Sequence, residues 1–387
     1  MTRITRRDAA RLLGGVLSLP AVGAPLMRRA FAEPQDFKIG VIASMTGPAA
    51  PFFKEYVEGF QAYAKSWNTR GGVNGRPVSL NINDDESAPA PAANAYRRVA
   101  ADPDTTLAWV AGPGAGGLAI KAMASELKLP VVSGGAVDTL GIPADPYFFK
   151  IAPANRDYMK LYLTWCKERG YKKLAFVLGN DAYGQGEAQI AKEMTASLGL
   201  DIAALETFSA TDSNFSSQLV RVRSSAPDIV YAAGTGAPGI LIYKQYRQLG
   251  LKYPLCFMLA ALTSAFFQAI GGASEADGVM TPGLLGMLGK QAPGESGKLY
   301  DQLVDALGRP ASLANSLGWD IGIVTETAIK RSDVSREGIR AALDQVKDLP
   351  GINGPITFTP QNHIGQDTRG LAMLKLASGK FVPVDQA

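Results

Sequence analysis

The sequence is poor in the residues from which redox and metal chemistry are built. Its 387 residues include two cysteines, Cys166 and Cys256, and one histidine, His363. One histidine with cysteines so far apart cannot assemble a zinc ligand set, and His363 reads as a loop residue within Gln361-Asn362-His363-Ile364-Gly365. Cys166 falls in a helical run and Cys256 in a strand-like run, so a disulfide and two separate buried thiols both stay open. Long apolar runs are also scarce. The apolar segment from Leu12 to Leu26 is interrupted by Gly14, Gly15, Pro20, Gly23 and Pro25, too short and too poorly helical for a membrane-spanning helix.

That segment follows Arg6-Arg7 and precedes the small residues of Ala30-Phe31-Ala32, the pattern of a twin-arginine export signal. Removal of residues 1–32 is the expectation, and a retained anchor is the alternative. The signal carries six arginines and one aspartate, so the formal charge of +4 becomes 33 basic against 34 acidic side chains, a net −1. No basic excess then remains to draw nucleic acid or an anionic membrane surface. The other 355 residues suffice for two domains with proper cores.

What the chain has in quantity is glycine, at turns between periodic segments. The run Gly112-Pro113-Gly114-Ala115-Gly116-Gly117 follows the apolar strand 107–111 and leads into a helical pattern at 118–124. Four glycines let a ligand approach the backbone, and the free N–H groups of a first helical turn suit an anion or a polar oxygen. The same letters satisfy G-x-G-x-x-G, with Asp138 about twenty positions on, as a dinucleotide-dependent oxidoreductase would require. Against that reading, Pro113 removes an N–H, the unit is the third strand of its series, and Asp138 follows a second glycine turn. A tight turn without ligand is the plainest alternative.

Strands at 37–43, 78–83, 106–111 and 131–133 alternate with helices at 52–67, 92–100 and 118–127. The series predicts a doubly wound parallel sheet covered on both faces. Tyr56, Phe60, Tyr63 and Trp67 recur at helical spacing and read as a core face, whereas Phe52 and Phe53 stand at a helix start beside a strand's carboxyl end, where open α/β sheets bind ligands. The turn Gly134-Gly135-Ala136-Val137 falls at the same sheet edge. A second series, with strands at 174–178, 202–208 and 229–233 and the turn Gly234-Thr235-Gly236, repeats the architecture.

Several segments carry a family resemblance: Ile39-Gly40-Val41-Ile42-Ala43-Ser44-Met45-Thr46-Gly47-Pro48, Gly71-Gly72-Val73-Asn74-Gly75-Arg76-Pro77-Val78, Asn83-Asp84-Asp85, Asp181-Ala182-Tyr183-Gly184-Gln185-Gly186, Pro227-Asp228-Ile229-Val230 and Gly351-Ile352-Asn353-Gly354-Pro355-Ile356-Thr357-Phe358. In this order the chain resembles the periplasmic leucine/isoleucine/valine-binding proteins of ABC transporters from about Phe37 to its end. The resemblance implies a type I periplasmic-binding-protein fold, two α/β lobes joined by three crossings near 151–154, 281–283 and 358–360. Lobe 1 would comprise 37–153 plus 282–358, and lobe 2 would comprise 154–281 plus 359–387. It further implies a monomer in the periplasm that binds a small molecule between its lobes, delivers it to a membrane permease, uses no cofactor or metal and catalyses nothing.

Relatives that take amino acids hold the carboxylate with Ser or Thr hydroxyls and the ammonium with a second-lobe acid, and this sequence departs from both. Gly114, Ala115 and Gly116 stand where hydroxyls would be, joined by Gly135 and Ala136, and the acidic position falls in Leu259-Ala260-Ala261-Leu262. Tyr183 matches the pocket tyrosine and would offer a ring and a hydroxyl. Asp138 or Asp181 would be other sources of negative charge. With Phe52, Tyr183, Gly236, Ala261 and Phe257 about the cleft, the expected cargo is a small carboxylate or polar-headed compound with an apolar or aromatic body; a branched-chain amino acid is the alternative.

Overall fold

The computed structural model describes residues 35–386. The expected signal at 1–32 lies outside them. Parallel strands with intervening helices build the first lobe: β1 (Phe37–Ala43), α1 (Ala50–Thr69), β2 (Val78–Asp84), α2 (Pro89–Ala101), β3 (Thr105–Ala111), α3 (Gly114–Leu127), β4 (Val131–Ser133) and β5 (Phe148–Lys150). The sheet order is β2-β1-β3-β4-β5, all parallel. The second lobe starts with α4 (Asn155–Glu168) and continues through β6 (Lys173–Gly179), α5 (Ala182–Leu198), β7 (Asp201–Phe208), α6 (Ser216–Ser224), β8 (Ile229–Ala233), α7 (Ala237–Gln248), β9 (Leu255–Phe257), α8 (Ser264–Ile270) and β10 (Met280–Leu284).

The chain then returns to the first lobe as α9 (Glu295–Leu307), α10 (Leu313–Lys330) and α11 (Arg336–Leu343). Trp319 of α10 meets Tyr63 of α1 edge to face at 4.9 Å. The aromatic stripe Tyr56, Phe60, Tyr63 and Trp67 is buried there, a core face as its spacing requires. A last pair, β11 (Leu371–Ala377) and β12 (Lys380–Pro383), closes the second sheet antiparallel, in the order β12-β11-β10-β9-β8-β6-β7.

The chain passes between the sheets three times. The second passage follows β10, whose five residues all pair with β11. The third lies beyond 358–360, because Lys150 N donates to His363 O and Gly365 N donates to Lys150 O, which keeps this segment on the edge of the first sheet. His363 lies in an irregular segment, as its loop context suggests, but that segment is buried. The histidine is 1% exposed, stacks on Phe149 at 4.0 Å, and its ring nitrogens meet Phe148 O at 2.9 Å and Asp344 Oδ1 at 3.1 Å. Cys166 and Cys256 are both buried free thiols in the core of the second lobe.

Helix α3 begins at Gly114, so Gly114, Ala115, Gly116 and Gly117 form its first turn instead of a loop before it. Gly116 is buried, and a Cβ there would stand 3.2 Å from Ala92 Cβ of α2. Its small size serves helix packing.

Candidate functional site

The carboxyl ends of both sheets face one another across a cleft of about 170 Å³. From the first lobe come Phe52 and Phe53 at the start of α1, Gly112, Pro113 and Gly114 after β3, and Gly134, Gly135, Ala136 and Val137 after β4. The second lobe presents Asn180, Asp181 and Tyr183 after β6, Phe208 at the end of β7, Thr235 and Gly236 after β8, and Met258, Leu259 and Ala260 after β9. Leu317 of α10 and Tyr158 of α4 complete the wall. Loops collect here because parallel strands all end at the same sheet edge. The lobes touch across it: Tyr183 packs against both cores, and a Cβ at Gly236 would lie 2.9 Å from Pro48 O of the opposite lobe.

Of the residues singled out from sequence, Phe52, Gly114, Gly135, Ala136, Tyr183 and Gly236 line this cleft. Ala115, Gly116 and Ala261 do not. Ala261 is 2% exposed at the end of the 3-10 turn Leu259–Ala261, packed into the second-lobe core, while its neighbours Leu259 and Ala260 reach the wall. Phe208, Tyr158, Asn180, Thr235 and Leu317 carried no sequence signal for the cleft, since each reads locally as a strand, helix or turn residue.

The polar inventory of the wall is small. Among the described residues that line it there is no lysine, arginine, histidine or glutamate. Asp181 is the one carboxylate, and its Oδ1 accepts from Gly184 N at 2.8 Å as the N-cap of α5. Asp138 is not in the wall; its carboxylate accepts from the amides of Asn155 and Arg156 at the start of α4. That engagement leaves it no ribose to hold, and the dinucleotide reading of Gly112 to Gly117 loses its acidic partner. The amide of Gly135 is also committed, donating to Ser133 Oγ at 3.1 Å. By contrast, no side chain caps α3. Pro113 occupies the cap position and Gly117 N makes the first bond back to it at 3.2 Å, so the amides of Gly114, Ala115 and Gly116 have no acceptor among the described residues.

Two buried charged groups stand one hydrogen bond behind the wall, and sequence alone would have placed both on solvated faces. Lys150, on β5, is 0% exposed and donates to Ala136 O at 2.9 Å and Pro153 O at 3.0 Å. Burial lowers its pKa to about 7 against the pull of Asp138 and Asp157. Glu187, on α5, accepts from the hydroxyls of Tyr183 and Tyr231, both at 2.9 Å, and burial raises its pKa to about 7. The Tyr183 hydroxyl therefore donates into the lobe and gives its hydrogen to Glu187, so the ring is what remains for the cleft.

A model of the family "Periplasmic binding protein" matches residues 36–380. The Leu/Ile/Val-binding protein BraC3 of Rhizobium johnstonii is 22% identical over 356 residues, covering 90% of this chain and 94% of that one. Leu/Ile/Val-binding protein homolog 3 of Brucella melitensis is 25% identical over 246 residues, 62% of this chain, and the match spans 65% of that protein's length. Among solved structures, an ABC-transporter solute-binding protein of Rhodopseudomonas palustris in complex with benzoate superposes with a TM-score of 0.79 at 21% identity, over 90% of this chain and 95% of that chain.

Proposed function

The chain belongs to the periplasmic binding protein family, and from that premise we propose that it is the substrate-binding component of an ABC importer whose cargo is a small carboxylate with an aromatic or apolar body. The observation that carries this reading is one cleft that joins the uncapped first turn of α3 to a wall of Phe52, Phe53, Tyr183 and Phe208. The free amides and the helix dipole suit the carboxylate. The rings suit a planar apolar body. The volume supports the size, because an engineered apolar cavity of about 150 Å³ holds benzene. An α-ammonium fares worse: the one carboxylate of the wall already caps α5, and an unpaired buried ammonium costs on the order of several kcal/mol. The benzoate bound to the R. palustris protein agrees in chemistry with this cargo; the Leu/Ile/Val-binding names of the relatives favour the alternative of a branched-chain amino acid.

In this reading the protein binds without turnover, closes its lobes on the cargo and hands it to a membrane permease. Arg6 and Arg7 ahead of the apolar segment at 12–26 support twin-arginine export to the periplasm, with cleavage after Ala32, and the protein works there as a monomer. A thermal-shift panel of purified protein with benzoate, aliphatic acids, amides and amino acids tests the cargo class. Aromatic carboxylates are expected to raise Tm by several degrees at saturating concentration, since a ligand that binds only the folded state stabilises it by mass action. Amino acids raising Tm while aromatic acids leave it unchanged would overturn the reading.

A further inference from the structure

Glu187 lies one turn beyond Tyr183 on α5 and is completely buried. Both tyrosine hydroxyls that reach it, Tyr183 of the wall and Tyr231 of β8, donate to Oε1. Its Oε2 is shielded from solvent and has no hydrogen-bond partner among the described residues. The groups that face this carboxyl are Tyr183 from its own helix and Asp181 at that helix's N-cap, Tyr231 from β8 and Cys256 from β9, with Tyr158 of α4 beside Tyr183. None of these is a cation. An ionised Glu187 thus has two donors and no counter-charge, while a protonated one keeps both tyrosine bonds and lacks only an acceptor for its own proton. The two forms are closely balanced, as a carboxyl raised to about 7 reflects.

A carboxylate in the cleft tips that balance. Tyr183 lines the cleft and its hydroxyl reaches Glu187, so a carboxylate bound in the cleft would lie across that side chain from Glu187, where like charge disfavours an ionised neighbour. We propose that Glu187 is a positioning and specificity-determining residue that acts through the Tyr183 wall: a monoanionic cargo enters together with a proton, which the Glu187 carboxylate takes from solvent. The proposal rests on the reading of the cargo as a carboxylate. It also makes a dianion a poor cargo, because the wall offers no second carboxylate free to take a proton. Lys150, behind Ala136 and facing Asp138 and Asp157, is the rival proton site.

The test is calorimetric titration of benzoate into purified protein at pH 7 in phosphate and in Tris, buffers of small and large ionisation enthalpy, so that the difference in heat counts protons. The wild type should take up about half a proton per benzoate, and its affinity should fall about fivefold from pH 6 to pH 8. Glu187→Gln should take up none and bind with a flat pH profile, as should the wild type with neutral benzamide. Tyr231→Phe removes one donor to the carboxylate and should move the uptake to higher pH; it decides the matter alone if Glu187→Gln does not fold. Benzoate binding with equal heats in the two buffers overturns the proposal and leaves the cargo reading standing. Uptake that persists unchanged in Glu187→Gln assigns the proton to another group, Lys150 first, and overturns it as well. The absence of benzoate heat under every condition removes both the cargo reading and the proposal.

Discussion

Both lobes bury carboxyls, and two that are fully sealed from solvent, Asp320 in the first and Glu187 in the second, are equipped very differently. Asp320, on α10 of the first lobe, accepts from Ile352 N at 2.7 Å, Asn353 N at 3.0 Å, Asn353 Nδ2 at 2.9 Å and Gln366 Nε2 at 2.9 Å. Glu187 of the second lobe has two phenol donors and an oxygen left over. Burial raises both, Asp320 to about 6 and Glu187 to about 7. In both, hydrogen-bond donors favour the charged form and oppose the effect of burial. The difference separates two uses of a buried acid: Asp320 ties the 351–354 turn and Gln366 to α10, whereas Glu187 is poised to change its charge beside the cleft.

Removing the better-served acid has the largest expected effect. Asp320→Ala leaves four buried donors without an acceptor, and should destabilise the fold by about 4 kcal/mol in urea unfolding. A loss below about 1 kcal/mol would erase the distinction between the two acids. Next comes the pH dependence of stability. Because the folded protein holds the Glu187 proton more tightly than the unfolded chain, this group's contribution is complete below the ordinary glutamate range and is lost as pH rises through about 7. Glu187→Gln should therefore match the wild type near pH 4 and exceed it by about 3 kcal/mol at pH 8. A variant less stable at pH 8 would mean that Glu187 is held as firmly as Asp320. The smallest effect concerns the free amides of α3. Ala115 is exposed, and Ala115→Asp supplies a carboxylate to the first turn from within the chain. Benzoate affinity should fall about tenfold with Tm unchanged or slightly raised; unaltered affinity would remove α3 from the account.

The strand and helix alternation was legible because each element keeps its own period over a full length. β1 and β8 fall on the strands read from their apolar runs, and the Tyr56 to Trp67 stripe lies buried where its spacing requires. Turns were harder. Gly116 looked like a backbone exposed to ligand, yet its neighbour is Ala92 on the preceding helix, a contact visible only once α2 lies on α3. Ala261 was one position off, because a 3-10 turn directs successive side chains about a third of a turn apart and only Leu259 and Ala260 meet the cleft. Glu187 and Lys150 were invisible as site residues for a related reason. A charged residue in a helical or strand-like run is ordinarily solvated, and only the tyrosines of separate elements, or the carbonyls of Ala136 and Pro153, reveal that these two are not.

The proposed cargo requires a cleft that accepts a carboxylate and refuses an ammonium. A competition titration tests it most directly: purified protein, freed of cargo by unfolding and refolding, is titrated calorimetrically with benzoate and with L-leucine, alone and each in the presence of the other. The account predicts that benzoate binds, that leucine binds far more weakly, and that saturating leucine barely shifts the benzoate curve. Leucine binding more tightly and displacing benzoate would contradict it and make the protein a branched-chain amino-acid carrier.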